Sequence, residues 1–102
     1  MNKINFHTFG VNDADCESPI DYTIDLNKMK YKMIDDGKNQ NRYFSIIGFI
    51  QNHLKKKGQE INNIAIRCMN GCHRSVHVAE CVALFFAKEY ECTVKHWCLN
   101  KS

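Results

Sequence analysis

NIAIRCMNGCHRSVHVAE, residues 63–80, carries the architecture of this chain. Ile64, Ala65 and Ile66 predict a short buried strand, Cys68 to His73 a compact loop, and Arg74 onward a helix. A strand that runs through a tight loop into a helix aims successive backbone N–H groups at one point. Those donors lack partners and the helix dipole is positive there, so the point attracts anions. Arg74 adds a planar guanidinium that suits bidentate contact with phosphate, and His73 and Ser75 add further donors. The spacing Cys68-x5-Arg74-Ser75 therefore reads as a cradle for a phosphate, sulfate or carboxylate. Its candidate ligand-binding residues are Cys68, Met69, Asn70, Gly71, Cys72, His73, Arg74 and Ser75. Gly71 allows a loop conformation that a Cβ would obstruct.

Outward from this stretch the chain alternates strands and helices. Lys3–Phe9 alternates Ile4, Phe6 and Thr8 against Asn5 and His7, a strand pattern. Residues 10–19 form a polar loop with the only proline, and Asp21–Leu26 is a second short strand. Residues 27–41, rich in Lys, Asn, Asp and Met, read as a loop with a possible lid role. From Tyr43 the apolar positions Ile46, Ile47, Ile50 and Leu54 mark one helix face, which ends in Lys55, Lys56, Lys57 and then Gly58. The helix after the loop, about Arg74 to Lys88, carries Val76, Ala79, Val82, Ala83 and Phe86, widened by Val78, Cys81 and Phe85. A stripe that wide predicts burial on two sides. The last strand spans about Cys92–Trp97. The expected fold is α/β: one small layered domain over residues 1–102, about four strands and two main helices. Its anion-binding loop lies between a strand's carboxyl end and a helix N-terminus.

At 102 residues the chain suffices for one modest core. Apolar residues make up 44% and charged residues 25%, which excludes a disordered class. No apolar run is long enough to cross a bilayer, and MNKINFHTFG lacks a signal-peptide core. The expectation is a cytoplasmic protein with no membrane partner, its six cysteines reduced. Net charge is +3, unevenly placed: residues 1–51 hold six basic and seven acidic side chains, residues 52–102 eight and four. The basic half is the one with the anion loop, which suits a phosphorylated ligand.

The loop resembles the signature of the C-terminal domain of the RNase adapter protein RapZ. The matching residues are Ile64, Ala65, Ile66, Cys68, Gly71, His73, Arg74, Ser75, Val76, Ala79 and Glu80. Thr8-Phe9-Gly10 is similar to that family's opening Ser-Phe-Gly, and Asp21 to Leu26 to its D-Y-V-F-D-V strand. Lys95 to Lys101 is similar to its closing R-H-R-x-L-E-K. The resemblance implies aminosugar-phosphate sensing, RNA recognition and a homo-oligomer. It also implies that His73 contacts the ligand and that His96, if its strand is adjacent, projects to the same site; the expectation is that His7, Thr8 and His96 shape the rest of the pocket. Arg67 and Asn70 replace family glycines, which alters the ligand that fits. No G-x-x-x-x-G-K-[ST] loop is present, so the expectation is a copy that stands without the family's nucleotide-binding domain.

Cys-x5-Arg-Ser also resembles the loop of cysteine-dependent phosphatases, whose thiolate attacks phosphorus while the arginine and backbone N–H groups hold the oxygens. On that likeness Cys68 is the nucleophile and Arg74 the clamp. Arg67 stands where those enzymes usually carry histidine, and no aspartate is assignable as the acid. Cys68, Cys72, His73 and His77 offer soft ligands, yet four within ten residues across a loop and a helix start converge poorly on zinc. No metal or cofactor is expected. The primary expectation is capture of a phosphorylated small molecule, a sugar phosphate or signalling nucleotide, by a sensor or sequestering protein. The alternatives are a phosphatase or phosphodiester-cleaving enzyme, and an RNA-binding adapter.

Overall fold

A computed structural model describes residues 2–10, 19–26, 38–68 and 74–97, with the backbone alone at 38–43 and at Arg74. The elements in chain order are β1 (Lys3–Gly10), β2 (Tyr22–Asp25), α1 (Lys38–Lys57), β3 (Ile61–Cys68), α2 (Arg74–Phe86) and β4 (Glu91–His96). The strands form one sheet in the order β2-β3-β1-β4, and every neighbouring pair is parallel. This is the expected α/β domain: a four-stranded parallel sheet with two helices.

From β2 to β3, and from β3 to β4, the chain moves the same way across the sheet. Right-handed crossovers then place α1 and α2 on one face. The buried set agrees with that placement. Ile4 and Phe6 of β1, Ile24 of β2, and Ile64 and Ile66 of β3 share a core with Ile46, Ile47 and Ile50 of α1 and Val78, Ala79, Val82, Ala83 and Phe86 of α2. Strand alternation sends Asn5, His7 and Phe9 to the opposite face. β3 is buried on both faces at Ile64, Ala65 and Ile66, which is why it shows a continuous apolar run.

Several bounds differ from the sequence expectation. α1 starts at Lys38, inside the stretch read as a loop, because its polar opening KNQNR offers no apolar period. The proposed lid at 27–37 lies outside the described residues. Behind α1, a Cβ at Gly58 would overlap the Leu54 carbonyl oxygen, so glycine closes this helix end. α2 stops at Phe86, and its wide stripe is buried on one side only. Leu84 is 74% and Phe85 43% exposed, because no element covers that flank among the described residues.

Because every strand points the same way, Gly10, Asp25, Cys68 and His96 bring their carboxyl ends to one edge of the sheet. α2 begins beside that edge. No helix among the described residues is long and apolar enough to cross a membrane.

Candidate functional site

The carboxyl edge is assembled from three elements. β1 supplies Thr8, β4 supplies His96 in register with it, and β3 ends at Cys68 opposite Gly10. α2 then opens with Arg74 and Ser75. Cys68 is 3% exposed and Ser75 is fully buried, with Sγ and Oγ 3.3 Å apart. That clasp closes the strand end onto the first helical turn.

A second chain of bonds crosses the same edge. Thr8 Oγ1 lies 2.7 Å from His96 Nδ1, and His96 Nε2 lies 2.7 Å from Glu80 Oε1 on α2. A carboxylate only accepts, so Nε2 carries a proton and donates to Glu80. In the tautomer protonated at Nε2 alone, Nδ1 accepts from the Thr8 hydroxyl. Thr8 is fully buried, while the His96 side chain is 17% and the Glu80 side chain 58% exposed. The trp-flanked end of β4 is tied down as well, because the Trp97 N–H donates to the Thr8 carbonyl at 2.9 Å. The arrangement can hold an imidazole N–H at a fixed place against Glu80, midway along α2.

Of the residues expected at the site, two pairs come together at this edge, Cys68 with Ser75 and Thr8 with His96. His7 does not join them. It lies on the opposite face of the sheet, where Trp97 Nε1 donates to its Nδ1 at 3.0 Å and its Nε2 meets Asn63 Oδ1 at 3.1 Å. Met69, Asn70, Gly71, Cys72 and His73 lie outside the described residues, and so does the Arg74 side chain. His77 is exposed on α2. Among the described residues no cluster of three or more histidine, cysteine or acidic side chains is placed to hold a metal.

Glu80 is the residue that sequence reasoning missed. It was visible as the acid of the alanine–glutamate pair in the family signature, but nothing in the spacing pointed from α2 to a histidine sixteen residues later. A cavity of about 350 Å³ lies elsewhere, lined by Gln51, Leu54, Lys55, Phe85, Lys88 and Tyr90. It takes in none of the expected ligand-binding residues.

The sequence match agrees with this architecture. The family model of the RapZ C-terminal domain matches residues 31–100, which takes in α1, β3, α2 and β4 and leaves out β1 and β2. No curated protein matches the chain. With the strand, the clasp and the helix start of its signature all inside the matched region, the chain belongs to the RapZ C-terminal domain family.

Proposed function

We propose that this protein captures a phosphorylated small molecule, a sugar phosphate or a signalling nucleotide, at the carboxyl edge through residues 68–75. In this role it acts as a sensor or a sequestering protein. One observation carries the reading: the polar chain Thr8–His96–Glu80 ties the carboxyl ends of β1 and β4 to the middle of α2, the helix that begins just after β3 ends. A helix start offers unpaired N–H donors and a positive dipole end. The basic C-terminal half supplies favourable charge.

Binding fits this edge better than turnover does. Cys68 packs within the apolar core, so its sulfur is poorly placed to be reached by a phosphorus atom. A nucleophilic thiolate also needs an accessible, electropositive setting.

Native mass spectrometry tests the proposal on wild-type protein and Arg74→Ala with a panel of sugar phosphates, nucleotides and cyclic nucleotides. An intact ligand retained by wild type and lost by the variant is the expected result. Conversion of a ligand to product would make the protein an enzyme built on Cys68. If the panel neither binds nor changes, the small-molecule reading fails, and a short RNA becomes the next probe.

A further inference from the structure

β4 is an edge strand: it pairs with β1 on one side, and among the described residues no strand lies on the other. The Glu91 N–H donates to the Asn2 carbonyl at 3.0 Å and the Trp97 N–H to the Thr8 carbonyl at 2.9 Å. Backbone polar groups alternate sides along a strand, so Glu91, Thr93, Lys95 and Trp97 turn theirs toward β1. Cys92, Val94 and His96 turn theirs outward, a row of donors and acceptors that another strand can take up. Side chains alternate as well. Glu91, Thr93 and Lys95 are exposed, and Thr93 Oγ1 donates to Asn5 Oδ1 at 2.7 Å on the helix-free face. Cys92 and Val94 are half-buried against the core on the other face.

The sequence of β4 suits pairing with itself. When two copies of a strand run antiparallel about a two-fold axis, opposite residues must both turn their backbone groups outward or both inward. Registers centred on Cys92, Thr93 or Val94 meet that condition and overlap most of the strand. Centring on Cys92 sets Glu91 against Thr93, and centring on Val94 sets Thr93 against Lys95. Only the register centred on Thr93 sets Glu91 against Lys95 of the second copy, and does so on both sides of the axis. Those are the closely spaced pairs, where side chains come nearest. The Lys95 ammonium is already held on that face, 3.9 Å over the Trp97 ring. The same register sets Cys92 against Val94, so the outward backbone groups exchange hydrogen bonds and the half-buried apolar side chains cover each other. Charged side chains ordinarily protect an edge from pairing. Here the opposite signs stand equally far from Thr93, so self-pairing brings them together.

We infer that β4 is a self-association edge. Two copies of this chain join antiparallel about Thr93 into one continuous sheet, held by the outward backbone groups of Cys92 and Val94 and by paired Glu91 and Lys95. This is independent of the phosphate-binding reading above.

Sedimentation equilibrium on the full chain tests it with wild type, Glu91→Lys, Lys95→Glu and the double exchange Glu91→Lys/Lys95→Glu. Wild type is expected to be a dimer. Either single reversal sets like charges across both pairs and should weaken dimerisation about tenfold. The double exchange restores opposite charges and should recover the wild-type affinity. Thr93→Cys supplies a second measurement, because the closely spaced pair at the axis has a Cα separation of about 4.5 Å, within disulfide range. Mild oxidation should cross-link this variant through position 93 of both copies, read by peptide mass spectrometry against wild type oxidised alongside. That cross-link decides the matter if a charge variant fails to fold: a bridge between the two positions 93 upholds the register, and its absence overturns it. A monomeric wild type overturns the inference. So does a dimer that the single reversals leave unchanged or the double exchange fails to restore, since it would form through another surface.

Discussion

The Cys68 thiol lies 3.3 Å from the Ser75 hydroxyl, both side chains are buried, and the pair joins the last residue of β3 to the first turn of α2. Whatever sits at the carboxyl edge is held in place by this clasp. Ser75→Ala removes one partner of a buried hydrogen bond, so it should lower unfolding free energy by about 1 kcal/mol. A urea melt measures it, and an unchanged midpoint would mean the clasp contributes no stability. Cys68→Ser keeps a hydroxyl partner for Ser75. It should therefore retain phosphate binding, whereas an enzyme using the thiolate would lose all turnover.

Asn62 performs the equivalent task at the other end of the sheet. Its Nδ2 donates to the carbonyls of Lys3 and Gln59, and its Oδ1 accepts from the Gln59 N–H at 2.9 Å. The side chain is fully buried, so the turn before β3 depends on it. Asn62→Ala strands three backbone groups and should cost about 2 kcal/mol. Its register partner is Ile4, near the amino ends of the strands, so ligand affinity should not change while the protein is folded. A stability loss with intact binding is the signature; weakened binding at full folding would mean the two ends are coupled.

The class of fold was legible because residues 63–80 change period once, from a continuous apolar run to a helical stripe, around a loop too short for anything else. Strand order was not legible. Thr8 and His96 are 88 residues apart and meet only because β4 settles beside β1, which no local pattern encodes. His7 is a different case. The alternation read along β1 already set His7 and Thr8 on opposite faces, so assigning both to one pocket ignored a signal that was present. The polar first turn of α1 left no apolar mark to read. Glu80 meets His96 only in the assembled sheet, where β4 lies beside β1.

On the helix-free face, Trp97 Nε1 can only donate, so His7 Nδ1 must accept at their 3.0 Å separation. The ring proton therefore sits on Nε2 and is given to Asn63 Oδ1, which also accepts from Asn5 Nδ2 at 3.2 Å. Nitrogen NMR should find His7 as the Nε2–H tautomer. Trp97→Phe keeps a ring against His7 but removes the donor, so the tautomer preference should weaken and stability should fall by about 1 kcal/mol. Phosphate affinity should hold, since this network faces away from Cys68 and Ser75. A mixed tautomer in the wild type would refute the assignment.

Cys92 gives the protein an alkaline weakness. Its thiol is free and packs against the core from β4, and burial pushes its pKa above the ordinary 9.0. Desolvation penalises the thiolate in the folded state only, so the unfolded chain loses this proton at lower pH than the folded one. The stability held by the neutral thiol is therefore complete below about pH 9 and is lost as pH rises through the folded value. Other thiols, tyrosines and lysines titrate nearby, which makes the difference between two proteins the useful quantity. Unfolding free energy for wild type and Cys92→Ala, measured from pH 7 to 11, should show the variant less stable at pH 7 through lost packing. The gap should then narrow toward alkaline pH, because the variant has no thiol to ionise. Parallel curves would mean that Cys92 ionises as readily in the folded protein as in the unfolded chain.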